Sequence, residues 1–274
     1  MKRLGLWIAA LLAALVFQGA APAFSLAQQR ATGEWTMTFH DEFSQADGTP
    51  PDPTRWEHDI GGRWGNGAEA QFYTDRITNA YIQDGALQIT ARREYYGGNA
   101  YTSARLTTFG VFSQQYGRFE ARIRIPTGKG IWPAFWLLGD NIDQAGWPAC
   151  GEIDIMEHIN FEPNVVSTLH FPGASGRDAS IGKDYYSPWT NDFSDGFHVY
   201  AMEWQPDEIR FYVDGALTQV VRRDNLRPGQ QWVFDHPFYI ILNVAVGGQW
   251  PGYPTARTVF PATMSVDYVR VYTR

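Results

Sequence analysis

Apolar and polar residues alternate along most of the chain after residue 33. In Arg118 to Ile125, Phe119, Ala121, Ile123 and Ile125 take every second position, and Arg118, Glu120, Arg122 and Arg124 fill the others. Successive side chains of a strand point to opposite faces, so this segment predicts a β-strand with one buried and one wet face. Comparable segments are Trp35–Phe39, Leu87–Arg92, Ser103–Phe109, Ile131–Leu138, Glu152–His158, Val165–Phe171, His198–Trp204, Ile209–Val213, Phe238–Val246 and Val266–Tyr272. Gly, Pro, Asn and Asp, the turn formers, lie between them. Asp214-Gly215 after Ile209–Val213 signals a type I′ hairpin. No helical period is sustained. Eleven strands exceed the roughly ten that one twisted sheet holds before splitting, so the pattern predicts an all-β jelly-roll sandwich.

Composition narrows the class. The 274 residues are 44 % hydrophobic, 15 % aromatic and 19 % charged, which excludes a disordered chain or a coiled coil. Lys2 and Arg3, an apolar run from Leu4 to Phe17, and the small residues Ala20, Ala21 and Ala23 predict a secretory signal over residues 1–27, cut after Ala23 or Ala27. A signal anchor is the other reading, because Leu4 to Ala27 approaches the about 20 residues that span a bilayer. Residues 28–274 then form a single secreted domain, extracellular or periplasmic, with no membrane partner once the signal is cut. The formal charge of −7 makes a nucleic-acid partner unexpected. The single cysteine, Cys150, excludes an intramolecular disulfide and a cysteine zinc cluster, and reads as a buried free thiol.

The segment Gly151-Glu152-Ile153-Asp154-Ile155-Met156-Glu157 sets three acids among branched apolar residues. Strands are depleted in Asp and Glu, so the acids need a reason. Alternation puts Glu152 and Asp154 on one face and Glu157 on the other. One extra residue in a β-bulge near Met156 returns Glu157 to the face of Glu152. Two leaning glutamates on that face can bring their carboxyls to the ~5–5.5 Å of a retaining glycosidase, one ionised as nucleophile and one protonated as acid. A solvated acidic face or a calcium site are the alternatives.

This segment resembles the Glu-x-Asp-x-x-Glu signature of glycoside hydrolase family 16, in its laminarinase-type endo-β-1,3-glucanases. The likeness runs in order through Asp41-Glu42-Phe43, Gly65-Asn66-Gly67-Ala68-Glu69, Tyr101-Thr102-Ser103-Ala104-Arg105, the Trp132–Leu138 block, Ser167-Thr168-Leu169-His170 and the Leu242–Gly252 block. It implies a concanavalin A-like jelly roll of two antiparallel sheets with a concave substrate cleft. It also implies a retaining double displacement with Glu152 as nucleophile, Asp154 as assisting acid and Glu157 as acid/base. The implied substrate is a laminarin-like β-1,3-glucan, with mixed-linkage β-1,3-1,4-glucans left open. Agarases and carrageenases share the longer spacing. The wording of the acidic segment together with Trp-Pro-Ala-Phe-Trp favours the laminarinase type. A non-catalytic β-glucan-binding protein is the alternative from another class, and retention of all three acids argues against it.

Pyranose rings stack their C–H faces on aromatic side chains. Trp132 and Trp136, four apart on one strand face, match the family tryptophans that floor the cleft. A core position is their other reading, although Phe135 and Leu137 already supply a core-facing set. The resemblance assigns Asn66 and Arg105 to sugar on the non-reducing side, His170 to the neighbourhood of the acid/base, and Gln249 and Trp250 to the cleft rim. The competing readings are a surface strand residue for Arg105, a structural histidine for His170 and a core residue for Trp250. Trp64 and Tyr73 flank the Asn66 loop as further candidates. The family implies no catalytic cofactor, a monomer, and a structural Ca²⁺ at Glu42, the Gly85 carbonyl and Asp267.

Overall fold

A computed structural model describes residues 34–274. The expected signal segment, residues 1–27, lies outside the described residues. In chain order the strands are β1 (Thr36–Asp41), β2 (Glu57–His58), β3 (Gln71–Tyr73), β4 (Ala80–Gln83), β5 (Ala86–Tyr96), β6 (Asn99–Ser103), β7 (Arg105–Thr107), β8 (Gly117–Arg124) and β9 (Ile131–Gly139). They continue as β10 (Glu152–Glu157), β11 (Asn164–Pro172), β12 (Asp178–Tyr186), β13 (His198–Gln205), β14 (Glu208–Val213), β15 (Ala216–Arg222), β16 (Phe238–Val246) and β17 (Ala262–Thr273). Two short helices, α1 (Trp64–Gly67) and α2 (Ile142–Ala145), sit in connections.

One sheet has seven strands in the order β12-β11-β10-β9-β16-β7-β2. The other has ten, in the order β15-β14-β13-β8-β17-β5-β6-β3, with β1 beside β17 and β4 beside β5. This is the expected jelly-roll sandwich, with one departure: β3 and β6 pair in parallel. Phe119, Ala121 and Ile123 of β8 are fully buried, as the alternation predicts. Their polar neighbours form a charged ladder on the outer face, where Arg118 meets Glu120 at 2.8 Å and Glu203 at 3.3 Å. Phe135 and Leu137 of β9 face the core from the other sheet. Each such side chain contributes about 1.5–3 kcal/mol through burial, which makes the seven-stranded sheet a rigid base for whatever its other face carries.

The structure differs from the sequence reading in several places: the short strands β2, β3 and β4 were not among the expected ones, and two further differences have a clear cause. Ser103–Phe109, read as one strand, is two: β6 belongs to the ten-stranded sheet and β7 to the seven-stranded one. Periodicity does not register a chain that changes sheets. β12 was not foreseen, because this edge strand is largely exposed and carries no apolar stripe. The hairpin signal holds, with Asp214 and Gly215 both at positive φ, 49° and 77°, joining β14 to β15.

The expected bulge is present in β10. Against β9, Asp154 pairs with Trp136 and Met156 with Phe135, so Ile155 is the extra residue. Against β11, Asp154 pairs with Thr168 and Glu157 with Val166. Ile155 and Met156 are both buried in the core, and Ser167 Oγ donates to the Ile155 carbonyl at 2.9 Å. That bond satisfies a carbonyl the interrupted ladder leaves over. Ser167→Ala should therefore cost about 1 kcal/mol of unfolding free energy, measured by urea denaturation. An unchanged midpoint would show that the hydroxyl does not hold the bulge.

Candidate active site

The outer face of the seven-stranded sheet carries a cavity of about 490 Å³. Glu152, Asp154 and Glu157 line it together, the outcome the bulge makes possible. Glu152 Oε2 accepts from Trp147 Nε1 at 3.0 Å, and Glu157 Oε1 accepts from Trp132 Nε1 at 3.0 Å. Asp154 lies between them, almost fully buried, and its Oδ2 has no hydrogen-bond partner.

These surroundings disfavour charge. Burial raises the Glu152 carboxyl above its ordinary range, opposed by His170 and the Trp147 indole. Asp154 is raised well above the usual carboxylate range by burial and by its two glutamate neighbours, so the protonated form is favoured between them. Burial and the Glu152 charge push Glu157 up to about 7. A carboxyl of that kind holds a proton near neutral pH and can also take one back.

The tryptophans of β9 face the cavity, not the core. Trp132 stands edge-on to Trp250, with ring centroids 5.3 Å apart. Trp136 Nε1 donates to Asn243 Oδ1 at 2.7 Å, and Asn243 Nδ2 donates to the Tyr73 hydroxyl at 3.1 Å. The Arg105 guanidinium lies between Trp64 and Trp136, 4.5 and 4.6 Å from their ring centroids. Asp59 anchors it through a 2.7 Å bond from Arg105 Nε. Two indoles and the cation held between them thus form one braced unit in the cavity wall.

His170 Nδ1 lies 3.1 Å from an Asp178 oxygen, and His170 Nε2 lies 3.5 Å from Asp154 Oδ2 and 3.9 Å from Glu152 Oε1. The histidine therefore belongs to the acidic cluster. Trp250 is exposed at the rim, and Gln249 is exposed on the same loop without lining the cavity. The Asn66 side chain lies outside the described ones. Cys150 is buried, and burial raises its thiol to about 11, an inert state.

The proposed calcium ligands are engaged elsewhere. Glu42 takes Arg270 on both oxygens, at 2.9 and 2.7 Å, and Asp267 takes Arg122 at 2.7 Å. Gly85 lies in the turn between β4 and β5. Carboxylates already neutralised by arginines do not fit a dication as arranged.

Several residues escaped the sequence reading. Trp147 comes from the turn before β10, Asp59 from the loop after β2 and Asp178 from the start of β12. Glu69, which binds Gln71 at 2.5 Å, and Asn243 also line the cavity or brace it. Glu69 and Asn243 fall within the quoted motif blocks. The other three carried no local signal.

Residues 67–270 match the family model described as glycosyl hydrolases family 16. A β-glucanase of Rhodothermus marinus is 45 % identical over 249 residues, covering 87 % of this chain and 85 % of that protein. The laminarinase catalytic domain of Thermotoga maritima superposes with a TM-score of 0.81 at 47 % identity, covering 88 % of this chain and 99 % of that one. The endo-β-1,3-glucanase of Pyrococcus furiosus superposes with a TM-score of 0.78 at 44 % identity, covering 87 % and 94 %.

The raised carboxyls have a cost in stability. Glu157 titrates near 4.5 in its unperturbed state and near 7 when folded, so the native protein binds the extra proton between those values. Stability falls as pH rises through that window. Glu157→Gln removes the penalty and should stabilise the protein by about 1–3 kcal/mol at pH 8, with the gain gone at pH 4. Thermal unfolding at the two pH values checks this. An equal gain at both would assign the effect to packing.

Proposed function

The chain belongs to glycosyl hydrolase family 16, and from that premise we propose that it is a secreted, retaining endo-β-1,3-glucanase acting on laminarin-like polysaccharides. The observation that carries the reading is the bulged strand β10, which turns three carboxyls toward one aromatic-lined cavity. The β-glucanase and laminarinase names of the similar proteins support the linkage.

Glu152 attacks the anomeric carbon while Glu157 gives its proton to the departing glycosidic oxygen. The bond to that oxygen breaks and a covalent glycosyl-enzyme forms. Glu157, now ionised, takes a proton from water as that water attacks the same carbon. Glu152 leaves as a carboxylate and Glu157 regains its proton. Asp154 supports Glu152 as a protonated neighbour. The Trp147 indole fixes the nucleophile's other oxygen, and the Trp132 indole orients Glu157. Trp64, Arg105 and Trp136 receive sugar on the non-reducing side, where the family resemblance also assigns Asn66. Trp132 borders the cleft, with Trp250 edge-on against it. Mixed-linkage β-1,3-1,4-glucans are left as a second substrate, which a lichenan assay tests. The acids and aromatics supply this chemistry without a cofactor.

Proton NMR of the first products from laminarin should show the β-anomer, and the α-anomer would overturn the retaining assignment. Glu157→Gln should lower kcat on laminarin by about 10²–10⁴-fold, and Glu152→Ala should abolish reducing-end release. Cleavage of agarose but not laminarin would overturn the substrate. The alkaline limb of kcat/KM should fall near pH 7, because Glu157 must hold its proton for the first step. Trp132→Phe removes a donor to the ionised form, so the limb should move to higher pH. A limb that stays in place would separate Trp132 from the acid/base. Secretion is tested by sequencing the N-terminus of exported protein, which should begin after Ala23 or Ala27.

A further inference from the structure

His170 is held in an arrangement that glycoside chemistry alone does not explain. Asp178 engages Nδ1 through both oxygens, at 3.1 and 3.2 Å, which fixes the ring and turns Nε2 toward the acids. Nε2 then faces Asp154 Oδ2 at 3.5 Å and Glu152 Oε1 at 3.9 Å. The Asp154 oxygen is buried and unpartnered, while the other oxygen of Glu152 is already taken by Trp147. One ring nitrogen and two carboxyl oxygens lie within 4.8 Å of one another, and a cation taken there displaces the proton that Asp154 holds.

We propose that His170, Asp154 and Glu152 form a Zn²⁺ site whose occupation blocks the active centre. Zn–N and Zn–O bonds of about 2.0–2.2 Å set tetrahedral donors roughly 3.3–3.6 Å apart. The His170–Asp154 separation of 3.5 Å already matches, whereas the Glu152 oxygen, 3.9 Å from His170 Nε2 and within 4.8 Å of the Asp154 oxygen, has to draw in to complete the set. Asp178 completes the carboxylate–histidine–metal arrangement that orients and strengthens imidazole ligands. The donor set chooses the ion: a ring nitrogen and few oxygens suit Zn²⁺, whereas Ca²⁺ and Mg²⁺ call for oxygen donors in larger number. The open cavity supplies the entry path and room for water as fourth ligand. Bound Zn²⁺ occupies a lone pair of Glu152, so it competes with the sugar for the same carboxylate.

Calorimetry separates this site from the hydrolase reading, because it needs no turnover. Zn²⁺ titrated into metal-free protein carrying Glu157→Gln, which keeps all three donors, should bind one to one, with no heat from Ca²⁺ or Mg²⁺. Adding His170→Ala should weaken binding at least tenfold, and adding Asp178→Asn by about 10–100-fold. His198→Ala, at a second histidine flanked by Asp195 and Asp214, should leave it unchanged. Circular dichroism confirms that each variant is folded. In the parent protein, Zn²⁺ should inhibit reducing-end release competitively and EDTA should restore it. Absence of binding at 1 mM Zn²⁺, or affinity unchanged by His170→Ala in a folded protein, overturns the site. Zinc binding without laminarin hydrolysis in the parent protein would leave the site standing and overturn the substrate instead.

Discussion

The extra residue in β10 is the constraint on which the rest of the site depends. A strand returns a side chain to the same face only at even intervals, and Glu152 and Glu157 are five apart. Inserting Ile155 into the pairing resets the phase. The insertion is stable because the apolar residues at 155 and 156 both find the core and Ser167 satisfies the Ile155 carbonyl. Without the bulge, Glu157 would enter the sandwich as a buried charge and β10 would offer the cavity two acids, not three. A local irregularity of one residue thus converts a β-sheet into a candidate catalytic surface.

Around this strand the sandwich supplies stiffness and the loops supply chemistry. β9 lies between the acid-bearing β10 and β16, and its inner face is anchored in the core, so the outward indoles of Trp132 and Trp136 have a firm base. Hydrogen bonds then fix how each ring is turned: Trp132 to Glu157, and Trp136 to Asn243. Arg105 between two indoles, tied to Asp59, extends the same surface. Every indole that meets a carboxyl or amide here does two jobs, walling the cavity with its ring and giving an N–H to a polar partner.

Three acids in a half-closed apolar cavity do not favour folding. Burial and mutual repulsion raise their affinity for protons, and the protein tolerates this because the surrounding core is large. The same crowding separates their proposed roles, with Glu157 poised near neutrality and Asp154 kept protonated between its neighbours. His170 and Asp178 add a polar wall on the β11–β12 side. Stability given up at one strand is the physical counterpart of reactivity at that strand.

Period-two alternation fixed the strands whose inner faces are buried, among them β8, β9, β10 and β16, because core burial writes itself into local sequence. The Asp214-Gly215 turn and the odd spacing of Glu157 were legible for the same reason: each is a property of a few consecutive residues. The edge strand β12 was not, since its exposed pattern carries no stripe, and neither was the change of sheet at Ala104. Trp147 and Asp178 lie only five and eight residues from Glu152 and His170 yet gave no signal, because the path of the chain between them decides whether they touch, whereas Asp59 meets Arg105 across 46 positions. The pairing of Glu42 with Arg270 and of Asp267 with Arg122 also belongs to tertiary structure. The sequence by itself determined which residues face in, which face out and where the phase slips. Only folding decided which outward side chains touch, because contacts across a sheet join residues tens to hundreds of positions apart and leave no local trace.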